Sequence, residues 1–358
     1  MKYWSILFFA LLSIPVLAQI ETEHEQTPID TASTLIVAGN QEAEIAYNNG
    51  VKLLGDKNYL EAVKAFDEAL KHNATFNQAR LNKAVALSEM GKYPEAIQEL
   101  KVVVKSESTN NKAFFALGAA YYEQGAMSEA LESFGQAIQN GYSGFEAFYL
   151  SGQAAFRQAD YDAAIASFSL ALRSKSDSWE IYNDRGSAYR MQERFDEAIA
   201  DYKKAAQLVK SSAIVYNNLG SAYRKKGDFE SSILNHSMAI QIEPANHIGY
   251  NNRGSAYIDR KQFEKAIEDF KKVIFLKPDY AYGHNNLGSA YMKMKDFDKA
   301  EKSFEDAIRL SPNYGEAYAN LGAVKEMKHD IEGAVKAWKK ASENGYSEAN
   351  QYINYYKN

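Results

Sequence analysis

The most regular chemistry in this chain is carried by asparagine. Asn183, Asn217, Asn251 and Asn285 stand 34 residues apart, and Asn218, Asn252, Asn286 and Asn320 form a second column one position later. Ser187, Ser221, Ser255 and Ser289 recur at the same interval. An amide side chain both donates and accepts hydrogen bonds, so a column of amides can pair with an extended backbone whatever its sequence. The same groups can instead bond to one another across adjacent elements, and the residues alone leave both readings open. Arg190, Arg224, Lys225 and Lys293 add positive charge along the columns, with Asp184 and Asp259 against them. This is binding chemistry, with donors and acceptors presented at a fixed pitch.

Catalytic chemistry is not visible. His24, His72, His236, His247, His284 and His329 are scattered, and none stands in a His-Glu-x-x-His or similar metal spacing. The absence of cysteine excludes a thiol nucleophile, a disulfide and a thiolate-ligated zinc. There is no glycine-rich phosphate loop. Acidic residues are abundant but fall on expected solvent faces, where a hydrolytic pair cannot be told from background. The expectation is a non-enzyme with no cofactor and no metal site.

The elements that carry the asparagines follow from the interval. Gly50, Ala84, Gly118, Gly152, Gly186, Gly220, Gly254, Gly288 and Gly322 keep the 34-residue register without insertion, which marks a repeat array. In residues 213 to 246, Tyr216, Leu219, Gly220 and Tyr223 fall on one helical face. Lys226-Gly227-Asp228 interrupts with turn residues, Phe229 opens a second helix, and Pro244 ends it. Counting residue 213 as slot 1, slots 4, 7, 8 and 11 of the first helix (A) point into the stack. The second helix (B) carries a small residue, such as Ala198, Ser232 or Ala266. Four residues later comes a large one: Phe66, Leu100, Phe134, Phe168, Tyr202, His236, Phe270, Phe304 or Trp338. His236 is therefore expected in the core. Glycine inside a helix costs about 0.5–1 kcal/mol against alanine, so its recurrence at slot 8 implies that a neighbouring helix comes close. Gly220→Leu should unfold part of the array, and an unchanged melting temperature would refute that packing.

Large residue, Leu-Gly, Tyr, Ala, Phe, Ala and Pro at these places resemble the tetratricopeptide repeat (TPR) family, over nine repeats from 43 to 348, with 349–358 as a capping helix. The resemblance implies an all-α, right-handed superhelical solenoid of antiparallel helix pairs, with slots 2, 5, 6, 9, 12 and 13 lining a concave groove that binds peptides. The expected contact residues are Asn183, Asn217, Asn218, Asn251, Asn252, Asn285, Asn286, Asn320, Arg190 and Arg224. In the first half the same slots hold Tyr47, Leu81, Phe115, Tyr122, Tyr149, Leu150 and Phe156. Phe115, Tyr149 and Phe156 are read as a hydrophobic anchor pocket, unless neighbouring helices cover them.

Two further features bear on function. The net charge of −5 in 358 residues argues against a nucleic-acid binder. Lys2, the apolar run Ser5 to Leu17 and the Val16-Leu17-Ala18 site read as a signal peptide cleaved after Ala18; the run is too short for the roughly 20 residues of a bilayer span. Residues 19–42 are polar and read as a flexible linker. The sequence thus points to an exported, periplasmic or secreted scaffold with no membrane span after cleavage. It would bind an extended segment of a protein partner in cell-envelope assembly or secretion. A solenoid that binds envelope glycans is the alternative, and the sequence does not define an oligomeric state.

Overall fold

The computed structural model describes residues 38–356; the segment read as a signal peptide and most of the linker lie outside the described residues. Every regular element among them is an α-helix. Nine helix pairs follow in chain order: α1 (Ala38–Gly55) with α2 (Tyr59–His72), α3 (Asn77–Glu89) with α4 (Tyr93–Ser106), α5 (Asn111–Gln124) with α6 (Met127–Gln139), and α7 (Phe145–Arg157) with α8 (Tyr161–Ser174). Then come α9 (Trp179–Met191) with α10 (Phe195–Leu208), α11 (Ala213–Lys226) with α12 (Phe229–Ile242), α13 (His247–Asp259) with α14 (Phe263–Leu276), α15 (Ala281–Lys293) with α16 (Phe297–Leu310), and α17 (Gly315–Met327) with α18 (Ile331–Glu343). A short α19 (Ala349–Tyr355) follows. The chain divides into two compact units, one ending at Asp177 and one beginning at Ser178. Repeats 1 to 4 lie in the first, repeats 5 to 9 and α19 in the second.

Each repeat turns sharply between its two helices. Slot 15 is in the left-handed backbone region in all nine: Lys57, Gly91, Gly125, Ala159, Glu193, Gly227, Lys261, Lys295 and His329 have φ between 59° and 90°. Only three of them are the glycine that this region favours. The next residue caps helix B. Asp160, Asp228, Asp296 and Asp330 each accept a hydrogen bond from the backbone N–H three residues on, satisfying a donor that the helix leaves unpaired.

The close approach at slot 8 is present. A Cβ built on Gly118, Gly152 or Gly254 would lie 2.6–2.7 Å from the ring of Phe134, Phe168 or Phe270, inside van der Waals contact. On Gly220 it would lie 2.8 Å from the His236 ring. The one alanine in the series is explained by its partner: opposite Ala84 stands Leu100, the one slot-24 residue without a ring. Within each unit A helices touch the A helices of neighbouring repeats, while B helices stay further apart, so the A side is the inner side. At the C-terminal end, Ala349 and Ile353 are buried. Tyr352 and Tyr356 stack on Trp338 with centroids 5.2 and 6.0 Å away, and Tyr355 faces solvent.

Candidate functional site

The asparagine columns form a hydrogen-bonded ladder across the second unit. Asn218 Nδ2 donates to Asn183 Oδ1 at 2.9 Å, Asn286 Nδ2 to Asn251 Oδ1 at 2.8 Å, and Asn320 Nδ2 to Asn285 Oδ1 at 3.0 Å. In every rung slot 6 of one repeat donates to slot 5 of the repeat before. Ser187, Ser255 and Ser289 donate to the carbonyl of slot 5 in their own helix. The two columns therefore have different surroundings. Asn183, Asn217 and Asn285 are buried, Asn285 to 1 % exposure, while Asn218, Asn252, Asn286 and Asn320 are half-buried. Asn251 is also half-buried. The repeat pattern places slot 5 on the groove lining. The near approach of successive A helices closes over it in three of four repeats and leaves slot 6 as the open column.

One rung is missing. Asn217 Oδ1 lies 3.0 Å from His236 Nδ1, and Asn252 pairs with its neighbour instead, its Oδ1 accepting from Asn251 Nδ2 at 3.5 Å. His236 is fully buried, as its core slot implied, and burial drops its pKa to about 3, with the Arg224 and Arg253 charges adding to the shift. Its Nε2 has no hydrogen-bond partner, nor has the buried Ser232 Oγ one turn earlier.

Ion pairs that sequence reasoning missed cross from slot 7 to slot 23 within a repeat. Arg185 donates Nε and Nη2 to Asp201, both at 2.8 Å. Arg253 grips Asp269 at 2.8 and 2.7 Å and also donates to Ser237 Oγ. Lys83 pairs with Glu99 at 2.6 Å. Burial lifts Asp201 and Asp269 above the usual carboxylate range, while their arginines pull the other way. The signal was present in the repeats. Where slot 7 is Leu117, Leu219, Leu287 or Leu321, slot 23 is Ser133, Asn235, Ser303 or Ala337, and it is acidic only opposite a basic residue.

The expected groove cations differ from each other. Arg224 pairs with Asp259 of the next repeat at 2.5 Å. The position answering Asp259 for Arg190 is Lys225, so Arg190 has no acid there, and its buried Nε is unpartnered. In the first unit, Phe115 (1 % exposed) stacks under Tyr142 with centroids 4.4 Å apart, and Tyr149 (6 % exposed) packs against Phe168. Both belong to the core, which corrects the anchor-pocket reading for them. Phe156 is half-buried, edge-on to Tyr161. Among the described residues no group of three His, Cys, Asp or Glu could hold a metal ion. No described helix is long and apolar enough to cross a membrane.

Fold and repeat pattern together define helix pairs packed as in tetratricopeptide-repeat solenoids. Family models agree. One described as TPR repeat matches residues 186–227 and 254–295, and two described as tetratricopeptide repeat match 281–314 and 213–246. A fourth, for the N-terminal TPR repeats region of Psidin, matches 52–170. No curated protein matches the chain. Among solved structures, the chain is similar to one from the APC/C hetero-tetramer Cut9-Hcn1, at 14 % identity over 87 % of this chain and 75 % of that one, TM-score 0.53. That likeness is one of fold. It is also similar to YrrB, described as a TPR protein with an unusual peptide-binding site, at 20 % identity over 52 % of this chain and 96 % of that one, TM-score 0.49. To MamA the identity is 28 % over 46 % of this chain and 96 % of that one, TM-score 0.41.

Proposed function

We propose that this protein is a non-catalytic interaction scaffold that binds an extended segment of a partner protein along the A-helix side of repeats 5 to 9. The observation that carries this reading is the slot-6 column. Each of Asn218, Asn286 and Asn320 is held by one amide hydrogen to the preceding repeat. Each keeps a second N–H and its carbonyl oxygen on the open side, fixed in orientation by the first bond. Preorganised donors and acceptors lower the ordering cost of binding, and their pitch suits a backbone more than a unique side chain. Asn252 makes no rung to Asn217; its Oδ1 accepts from Asn251 Nδ2 at 3.5 Å, and its own amide N–H groups are left for a ligand. The apolar N-terminal run and Ala18 site support export, and with it a partner in the cell envelope or in secretion.

The test is a photo-crosslinker at position 252 in the full chain, followed by capture from a native envelope fraction. A partner protein should be trapped there. Asn218→Ala with Asn252→Ala should weaken its binding without lowering the melting temperature by more than the loss of one rung. Unchanged affinity in that double variant would sink the ladder as the contact surface. N-terminal sequencing of the exported protein should begin at Gln19; a retained Met1 would reject the cleavage reading.

A further inference from the structure

Repeats 8 and 9 carry side chains on the same inner side that the ladder does not use. Tyr280 and Tyr314 occupy slot 34, the residue just before helix A. Asn110, Ser178 and Asn246 in that slot accept hydrogen bonds from the backbone of the helix they precede. Tyr280 and Tyr314 make no such cap. Phe76, Gly144 and Ser212 in the same slot make no side-chain cap either, so what sets Tyr280 and Tyr314 apart is where their rings lie. Tyr282, in the first turn of α15, sits between them, with centroids 5.5 Å from Tyr280 and 4.8 Å from Tyr314, tilted by 45° and 55°. It remains 39 % exposed. Lys277 Nζ lies 5.7 Å from the Tyr280 centroid, which leaves the other two rings without a cation.

Beside them is Glu316, in the first turn of α17. It is half-buried, and its partner is the Asn285 amide at 3.5 Å, the outer limit of a hydrogen bond. It has no ion pair, whereas Asp259, Asp201 and Asp269 in this unit each hold an arginine. Burial raises the pKa of Glu316 against the weak pull of Asn285. Desolvation, and after it the Glu316 charge, disfavours ionisation of the half-buried Tyr314, so carboxylate and phenol lie within electrostatic reach. A poorly compensated carboxylate beside tyrosine rings is the environment that a guanidinium satisfies, by charge-assisted hydrogen bonds and by lying over an aromatic face.

We propose that Tyr282, Tyr314 and Glu316 form a subsite for a basic side chain, an arginine first, of the segment bound along the ladder. The subsite rests on the scaffold reading above and adds a requirement to it: the partner segment carries a positive charge opposite repeats 8 and 9. Arg190 and Lys225, uncompensated at the other end of the same unit, give the groove the opposite sign there. A bound segment is thereby fixed in direction as well as in register.

The experiment is selection of a phage-displayed library of random dodecapeptides on the full chain, followed by affinity measurement of the selected peptides as synthetic compounds. The selected peptides should share an arginine or lysine. Replacing it with glutamine should weaken binding to the wild type about tenfold, and to Glu316→Gln by less than about twofold. Glu316→Gln keeps the shape and the contact with Asn285, so its melting temperature should be unchanged, and Tyr282→Ala gives a second route to the same coupling. Peptides that bind without a basic residue, or whose basic residue matters equally in Glu316→Gln, overturn the subsite and leave the scaffold reading standing. Failure to retain any peptide overturns both.

Discussion

His236 brings an imidazole to a slot that holds an aromatic hydrocarbon or phenol ring, or an indole, in seven of the other eight repeats. Its consequences can be worked out with a sign. In the unfolded chain it titrates near 6.5; in the folded protein, enclosed with Asn217 and between the Arg224 and Arg253 charges, near 3. Between those values the unfolded chain binds the proton more tightly, so stability is lost as pH falls from 6.5 towards 3. At pH 4.5 the loss from this residue is about 2–3 kcal/mol. Denaturant melts of wild type and His236→Phe at pH 7.5 and 4.5 should show the wild type losing more by that amount. Equal losses would mean that His236 is not buried neutral. The phenylalanine should also free Asn217 Oδ1 to accept from Asn252 and complete the ladder. The inter-helix turns offer an independent check at this scale. Ala159 pays for a φ of 60° that costs a non-glycine residue about 1 kcal/mol. Ala159→Gly should therefore raise stability by several tenths to 1 kcal/mol in equilibrium unfolding, less the entropy that glycine adds to the unfolded chain.

At the scale of the helix pair, the slot 7 to slot 23 bridges make a sharper test than any single removal. Arg185→Leu leaves Asp201 buried without its cation and should cost about 3 kcal/mol. Adding Asp201→Asn copies the Leu219 and Asn235 combination that the next repeat already uses, and should recover most of that loss. A double variant as unstable as the single one would show that the pair is not exchangeable between repeats. This is also where sequence reading reached its limit. Helix positions, the glycine and ring contact and the burial of His236 were legible, because each follows from a period and from local propensity. The bridges were not, because slot 7 was averaged as apolar and the pairing shows only when each repeat is compared with itself. The fate of the asparagines was half legible. The pattern marked the columns, but whether slot 5 faces a groove or a neighbour depends on how near successive A helices come. That distance is a tertiary quantity, and it also put Phe115 and Tyr149 into the core. The Tyr282, Tyr314 and Glu316 cluster went unseen for a similar reason, since its members come from the starts of two helices in different repeats.

For the molecule as a whole, a stacked array has a stability that is approximately a sum over repeats and their interfaces, so its weakest repeat is identifiable. In the second unit an array of equal repeats would fray from its ends, and α12, between the outer α10 and the central α14, would hold amides better protected than those of α10. The chemistry argues the reverse. Repeat 6 buries His236 Nε2 and Ser232 Oγ without partners, each worth about 1–3 kcal/mol of unfavourable desolvation, and it lacks the Asn252 to Asn217 rung. Its helix α12 also turns Leu234 and Met238 outward while burying Ser232, Asn235 and His236, so its pattern favours the packed arrangement less than those of its neighbours. Native-state hydrogen exchange should therefore find α12 less protected than α10 and α14 by about tenfold or more, with the gap widening between pH 7.5 and pH 5 as His236 gains a proton in the open state. His236→Phe combined with Ser232→Ala should restore the profile of an array that is strongest at its centre. Protection in wild-type α12 equal to that in α10 and α14 would show that the packing of repeat 6 absorbs its polar groups at no cost.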